Sequence, residues 1–272
     1  MAERGVFFVK ESYPFFEEVN VCFPWFGGQS LKQRQRCVLS LRLNLLGGYP
    51  DVQFCEISSG SPDDIGRSLS AMALSKRLSD GRITTVESAF QSSRIYKDKA
   101  SGEVIGPFPD MIMLPGRDCK RQVKELSRGL HSYEYSFEGM WFPAPIFHIS
   151  LFYDYLYLNA LTEPENAQTA RGLQESGFDV FSDLASKALN TQARSCAIYT
   201  ALYRLGLLDR VRDYDDYLEL MRVDTGNRND YSAKGAYSQV QLLNGKGGVR
   251  LLRPAVAQTA DKEAVLAAFD NL

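Results

Sequence analysis

The chain has 272 residues, of which 44% are hydrophobic and 24% charged, a balance that provides for a core under a mixed-charge surface and excludes a disordered polymer. Its net charge of −2 excludes a protein that coats nucleic acid through bulk electrostatics, so any such contact must be local. The opening apolar run is too short for a signal peptide, and nowhere do the roughly 18 apolar residues of a membrane span run together. A cytoplasmic protein that makes no membrane contact is therefore expected.

Taken in chain order, Glu18–Phe23 alternates like a strand. A helix follows from Gln29-Ser30 to Leu46, with Ser30 and Gln33 spaced as a capping box and Gly47-Gly48 as its stop. Val52–Ile57 reads as a second strand. Ser61-Pro62-Asp63-Asp64 has a cap, a first-turn proline and two acids at the positive end of the helix dipole, which predicts a helix to about Leu74. After a polar turn at Asp80-Gly81, a helix is predicted from Thr84 through Tyr96, then a Gly/Pro-rich loop to Pro115 and an amphipathic helix from Arg117 to Leu130. Met140–Pro143 is loop or strand. Ser150 then caps Leu151–Leu158, apolar on nearly every side and so expected at the centre of the fold. Short helices are expected after Pro164, a long one from Thr191 to Leu205 capped by Asn190 and stopped by Gly206, and one more beyond Asp213. Val240–Leu252 reads as a hairpin. These elements predict a mostly helical α+β fold with a small sheet. A single domain is expected, with 1–58 as an extension packed on the core, 59–222 as the catalytic core and 223–272 as hairpin and tail.

The five cysteines are scattered among apolar or helical patterns, as free buried thiols would be, and His131 and His148 lack partners at ligand spacing, so neither metal nor cofactor is expected. Glu87, Gln91 and Arg94 stand at i, i+4 and i+7, placing a carboxylate, an amide and a guanidinium on one helical face beside an apolar stripe. That arrangement suits the floor of a pocket; a capping box at Thr84 and Glu87 with a solvated ion pair would produce the same spacing. A second cluster, Ser182-Asp183 leading to Asn190, Gln192 and Arg194 at a helix start, suits diphosphate and ribose oxygens or serves as a plain cap. Glu87 and Asp183, distant in sequence, could meet as an acid and base pair. Arg117, Lys120, Arg121 and Lys124 recur at three- and four-residue steps, a landing strip for a phosphodiester backbone or a solvated face. No Gly-rich loop of the Rossmann or P-loop kind is present.

At Val86-Glu87-Ser88-Ala89-Phe90-Gln91-Ser92-Ser93-Arg94 the chain resembles the NADAR (NAD- and ADP-ribose-associated) superfamily, whose hallmark helix carries Glu, an aromatic, Gln and usually Lys. Glu56-Ile57-Ser58-Ser59, Leu69-Ser70-Ala71-Met72-Ala73-Leu74, Phe152–Tyr157 and Asn190-x-Gln192-Ala193-Arg194 look like the branch that accompanies DarT-type DNA ADP-ribosyltransferase toxins. The resemblance implies a NADAR fold and an antitoxin that removes ADP-ribose from ADP-ribosylated guanine in DNA, with ADP-ribose as product and a DarT-type toxin as partner. It makes Glu87, Asp183 and Arg94 the catalytic candidates, and Ser70, Phe90, Gln91, Trp141, Ser182, Asn190, Gln192 and Arg194 the substrate-binding ones. Phe90 and Trp141 are candidates to pack on guanine or adenine. Arg94 departs from the usual Lys: a guanidinium stays charged and cannot form an imine, so either no lysine is needed or Lys97 or Lys120 substitutes. Two other readings are an N-glycosidase of a reactive ribosyl-amine of the riboflavin pathway, and a non-catalytic binder of ADP-ribosylated DNA or of the toxin.

Overall fold

The computed structural model describes residues 1–28, 30–98, 100–143, 149–184, 191–221 and 255–270. The chain forms two compact units: Met1–Ser70 with Arg171–Leu207 and Arg250–Leu272, and Ala71–Ala170 with Leu208–Val249. The expected hairpin at Val240–Leu252, together with Asn190 and His148, lies outside the described residues.

The first unit is built on a four-stranded sheet. Strand β1 (Ala2–Val9) pairs antiparallel along its whole length with β2 (Phe16–Phe23), Ala2 opposite Phe23 and Val9 opposite Phe16. The sheet order is β2-β1-β10-β3, in which β10 (Val180–Ser182) runs antiparallel to β1 and parallel to β3 (Phe54–Glu56). The apolar residues of β2 alternate as predicted, and Val19, Val21 and Phe23 bury one face beneath Val38, Leu41 and Leu45 of helix α1 (Leu31–Gly48). Ser30 caps α1 by accepting the Gln33 N–H at 3.3 Å, which bears out the predicted start. The C-terminal helix α9 (Lys262–Asp270) packs on α1 and was not foreseen. Its approach is pinned by buried Asn44, whose Oδ1 accepts the N–H groups of Thr259 (2.7 Å) and Ala260 (2.9 Å).

On β1 and β10 lies helix α7 (Gln192–Arg204). Small residues at Ala193, Ser195, Ala197 and Ala201 let its stretch Ala193–Leu202 be buried on all sides. Its cap is Thr191, which accepts the Ala193 N–H at 3.3 Å, rather than Asn190. The helix expected from Ser61 to Leu74 shrinks to α2 (Asp64–Ser68), with Asp63 at the cap position. Gly66 explains the tight seat of this turn: a Cβ there would lie 2.1 Å from the Glu56 carbonyl oxygen.

In the second unit, β4 (Ser75–Arg77) and β5 (Ile83–Thr85) form a hairpin across a turn where Gly81 takes φ +86°, a conformation that favours glycine. Helix α3 (Val86–Ser92) follows, wholly buried. A four-stranded sheet of order β7-β6-β8-β9 is formed by β6 (Arg94–Lys97), β7 (Val104–Ile105), β8 (His131–Phe137) and β9 (Met140–Pro143). Helix α4 (Gly116–Leu126) packs on α3, and within α5 (Ile149–Leu161) the stretch Leu151–Leu161 is buried apart from half-buried Asn159, as its all-round apolar surface requires. It begins at Ile149, so Ser150 lies inside the helix rather than at its cap. Helix α6 (Ala167–Glu175) starts in this unit and ends in the first; the helix expected beyond Asp213 is α8 (Tyr214–Leu220), which Asp213 caps. The core is aromatic: the Phe152 ring lies 4.3 Å from that of Phe142 and 4.9 Å from that of Tyr135. Beside it Lys76, buried on β4, pairs with Glu163 and donates to Asn159 Oδ1 at 2.9 Å.

The helix predicted through Tyr96 stops at Ser92. Ile95 and Tyr96 favour extended backbone, and Arg94–Lys97 pairs with β8 instead, Arg94 opposite Tyr135. The capping pair is Thr85 with the Ser88 N–H, at 3.1 Å, in place of Thr84 with Glu87.

Candidate active site

In the second unit the candidate site grows from α3. Glu87 sits in the first turn, 7% exposed, and its Oε1 receives two donors: Gln91 Nε2 at 3.0 Å from the next turn and Lys120 Nζ at 3.1 Å from α4. The pairing is possible because α4 begins hard against α3. A Cβ on Gly116 would come within 3.1 Å of the Glu87 Cβ, so a larger residue there would push the helices apart. Arg94 is no longer on the helix, yet its Nη1 donates to Gln91 Oε1 at 3.3 Å. The result is a relay of guanidinium, amide, carboxylate and ammonium. The Arg94 guanidinium also lies 5.0 Å over the Tyr96 ring and 5.8 Å over that of Phe90.

Phe90 itself is a core ring, packed edge-on to Tyr153 at 5.0 Å and tilted against Tyr135 at 5.4 Å. Trp141, on β9, is 53% exposed and has a face open to a ligand. Along α4 the basic row divides. Arg121 pairs with Asp118 at 2.7 Å, Lys120 turns to Glu87, and Arg117 and Lys124 are exposed.

The first unit holds the other cluster. Ser182 ends β10, buried, and Asp183 follows it, partly buried. Ser182 Oγ donates to the Glu56 carboxyl, which also accepts the Leu184 N–H at 3.0 Å and is within hydrogen-bond reach of the Ser58 hydroxyl. These contacts follow from the parallel register that sets Ser182 opposite Glu56. Complete burial, reinforced by the Asp183 charge, pushes the Glu56 carboxyl up to about 8 despite the three donors. Gln192, the first residue of α7, donates through Nε2 to the Ile57 carbonyl at 2.8 Å, and buried Arg194 lies 6.0 Å over the Phe16 ring. Ser70 is buried just after α2 and donates its N–H to the Arg67 carbonyl at 3.1 Å.

The structure thus joins Glu87, Gln91 and Arg94 with Lys120 in one unit, and Ser182 and Asp183 with Glu56 in the other. Reading the sequence assigned no chemical role to Glu56. A single acid closing an apolar strand just before Ser58-Ser59-Gly60-Ser61 was the available signal. Among the described residues no group of three His, Cys, Asp or Glu side chains is placed to hold a metal ion, and no helix is long and apolar enough to cross a membrane. Cys37, Cys55, Cys119 and Cys196 are free and buried, with Cys22 partly exposed.

Compared with known families, residues 2–231 match the family described as DarT1-associated NADAR antitoxin. Among curated proteins no match is found.

Proposed function

Because the chain belongs to the DarT1-associated NADAR antitoxin family, we propose that it is a hydrolase that removes ADP-ribose from ADP-ribosylated guanine in DNA and so undoes the work of a DarT-type toxin. The observation that carries this reading is Glu87, a buried carboxylate on the hallmark helix, held between the Gln91 amide and the Lys120 ammonium. Hydrolysis breaks the bond from the anomeric carbon to a guanine nitrogen. Water's oxygen ends on the sugar, one proton ends on the base, and ADP-ribose leaves with a free hydroxyl. The sugar cation formed on the way is stabilised by a nearby negative charge, and the leaving nitrogen needs a proton. In the second unit Glu87 is assigned the first of these tasks, with Arg94 as an electrostatic clamp on phosphate oxygens.

Lys120 bears on the missing lysine of the hallmark helix. Its amine lies at Glu87, where the arginine at position 94 offers none, so it is the side chain that substitutes for that lysine. Trp141 and the exposed cations of α4 serve the base and strand.

The test is release of ADP-ribose from a single-stranded oligonucleotide ADP-ribosylated on guanine. Glu87→Gln keeps the shape and the Gln91 contact but removes the charge, and turnover should fall by about 100-fold or more, the scale of a positioned acid–base group. Turnover at the wild-type rate, in a variant with an unchanged circular dichroism spectrum, would reject the role of Glu87.

A further inference from the structure

The first unit contains an open cleft of about 1040 Å3 that none of the assignments above uses. Its lining includes Glu56; its walls bring together Arg4 from β1, Trp25 from the segment after β2, Arg34 from α1, and the turn through Ser58 and Gly60. The charge there is unbalanced. Neither Arg4 nor Arg34 has an ion-pair partner among the described residues. Arg4 donates to the Glu3 carbonyl at 2.8 Å and lies 5.1 Å over the Trp25 ring, and its buried Nε has no hydrogen-bond partner among the described residues. Arg34 is exposed and extends over Gly60, where an added Cβ would lie 3.6 Å from its Nη1. Trp25 is 37% exposed, large for an indole in a folded protein and enough to leave part of its ring open.

Two unpaired guanidiniums call for an anion, and a half-open indole beside them calls for a flat ring. We propose that this cleft is a nucleotide subsite, which takes one nucleobase against Trp25 and its phosphate between Arg4 and Arg34. A carboxylate in the lining would repel that phosphate; Glu56, held neutral by its burial at physiological pH, does not. The volume lies at the top of the roughly 300–1,000 Å3 of small-ligand pockets, leaving room for the sugar and the start of a neighbouring residue. Base and phosphate together could belong to a DNA strand or to a free nucleotide. The choice of a strand rests on the activity proposed above; the chemistry of the cleft does not.

The experiment uses an unmodified, fluorescein-labelled single-stranded tetradeoxynucleotide, which carries no ADP-ribose, with fluorescence anisotropy as the readout. Arg34→Glu and Trp25→Ala, both at exposed positions, should each weaken binding at least tenfold, and a strand abasic at every position should bind wild type no better than the intact strand binds Trp25→Ala. Competition by dGMP at concentrations near its own affinity identifies a free nucleotide as occupant; binding of the strand undisturbed by dGMP identifies the strand. Wild-type affinity in both variants, or an abasic strand bound as tightly as the intact one, overturns the subsite. Glu87→Gln should bind the tetranucleotide normally, so failure of the proposed hydrolysis and failure of this cleft are read separately.

Discussion

Glu56 makes stability depend on pH in a direction opposite to that of most carboxylates. Its folded value of about 8 stands above the ordinary glutamate value of 4.5 because burial removes water from the charged form and Asp183 adds repulsion. Between those two values the folded protein holds a proton that the unfolded chain releases. The unfolding free energy therefore falls as pH rises through this window, and levels off above about 8. Below 4.5 both states are protonated and the penalty vanishes. At about 1.36 kcal/mol per pH unit at most, the loss from pH 5 to pH 7 is roughly 2–3 kcal/mol. Glu56→Gln is the matching perturbation, since an amide resembles the neutral acid in shape and keeps an oxygen for the Leu184 N–H. Urea unfolding in a Trp141→Phe background, where Trp25 reports on the first unit, should show the variant gaining roughly 2–3 kcal/mol on wild type between pH 5 and pH 7. Equal pH slopes in the two proteins would refute the assignment of a neutral buried acid.

Removing the carboxylate from the buried Lys76–Glu163 pair leaves an ammonium without its countercharge, so Glu163→Ala should cost about 3 kcal/mol or more in urea unfolding. Gly66→Ala sets a Cβ 2.1 Å from the Glu56 backbone oxygen, a clash no rotamer relieves; a loss of about 1–3 kcal/mol is expected, against almost none for Gly27→Ala, which meets nothing within 4 Å.

Local signals were legible where one element decides its own structure. Ser30 with Gln33, the alternation of β2 and the all-round apolar surface of α5 each specify an element without outside help, and each is found as read. Where a partner strand decides, sequence reading failed. Arg94–Lys97 has helical spacing to Glu87 but is extended because β8 offers it a ladder, and β10 is too short to announce itself until β1 and β3 flank it. Glu87 and Gln91 could be read because their partnership spans one helical turn. Lys120 could be placed on a basic face but not at Glu87, since that contact depends on how closely Gly116 lets α4 approach α3. Glu56 was invisible as a titrating group for the same reason: its character comes from Ser182, Asp183 and Leu184, 126 to 128 positions away at the resolved bonds.

The two buried carboxyls are opposites in surroundings. Glu87 meets an ammonium at 3.1 Å and an amide donor, so its negative charge has a partner on the protein. Glu56 meets hydroxyls, a backbone N–H and another acid; none of its named partners is a cation, and it is driven toward the protonated form. That contrast explains why spacing alone was an insufficient guide: the same residue type is given a countercharge or driven toward its protonated form by neighbours that only the folded chain supplies.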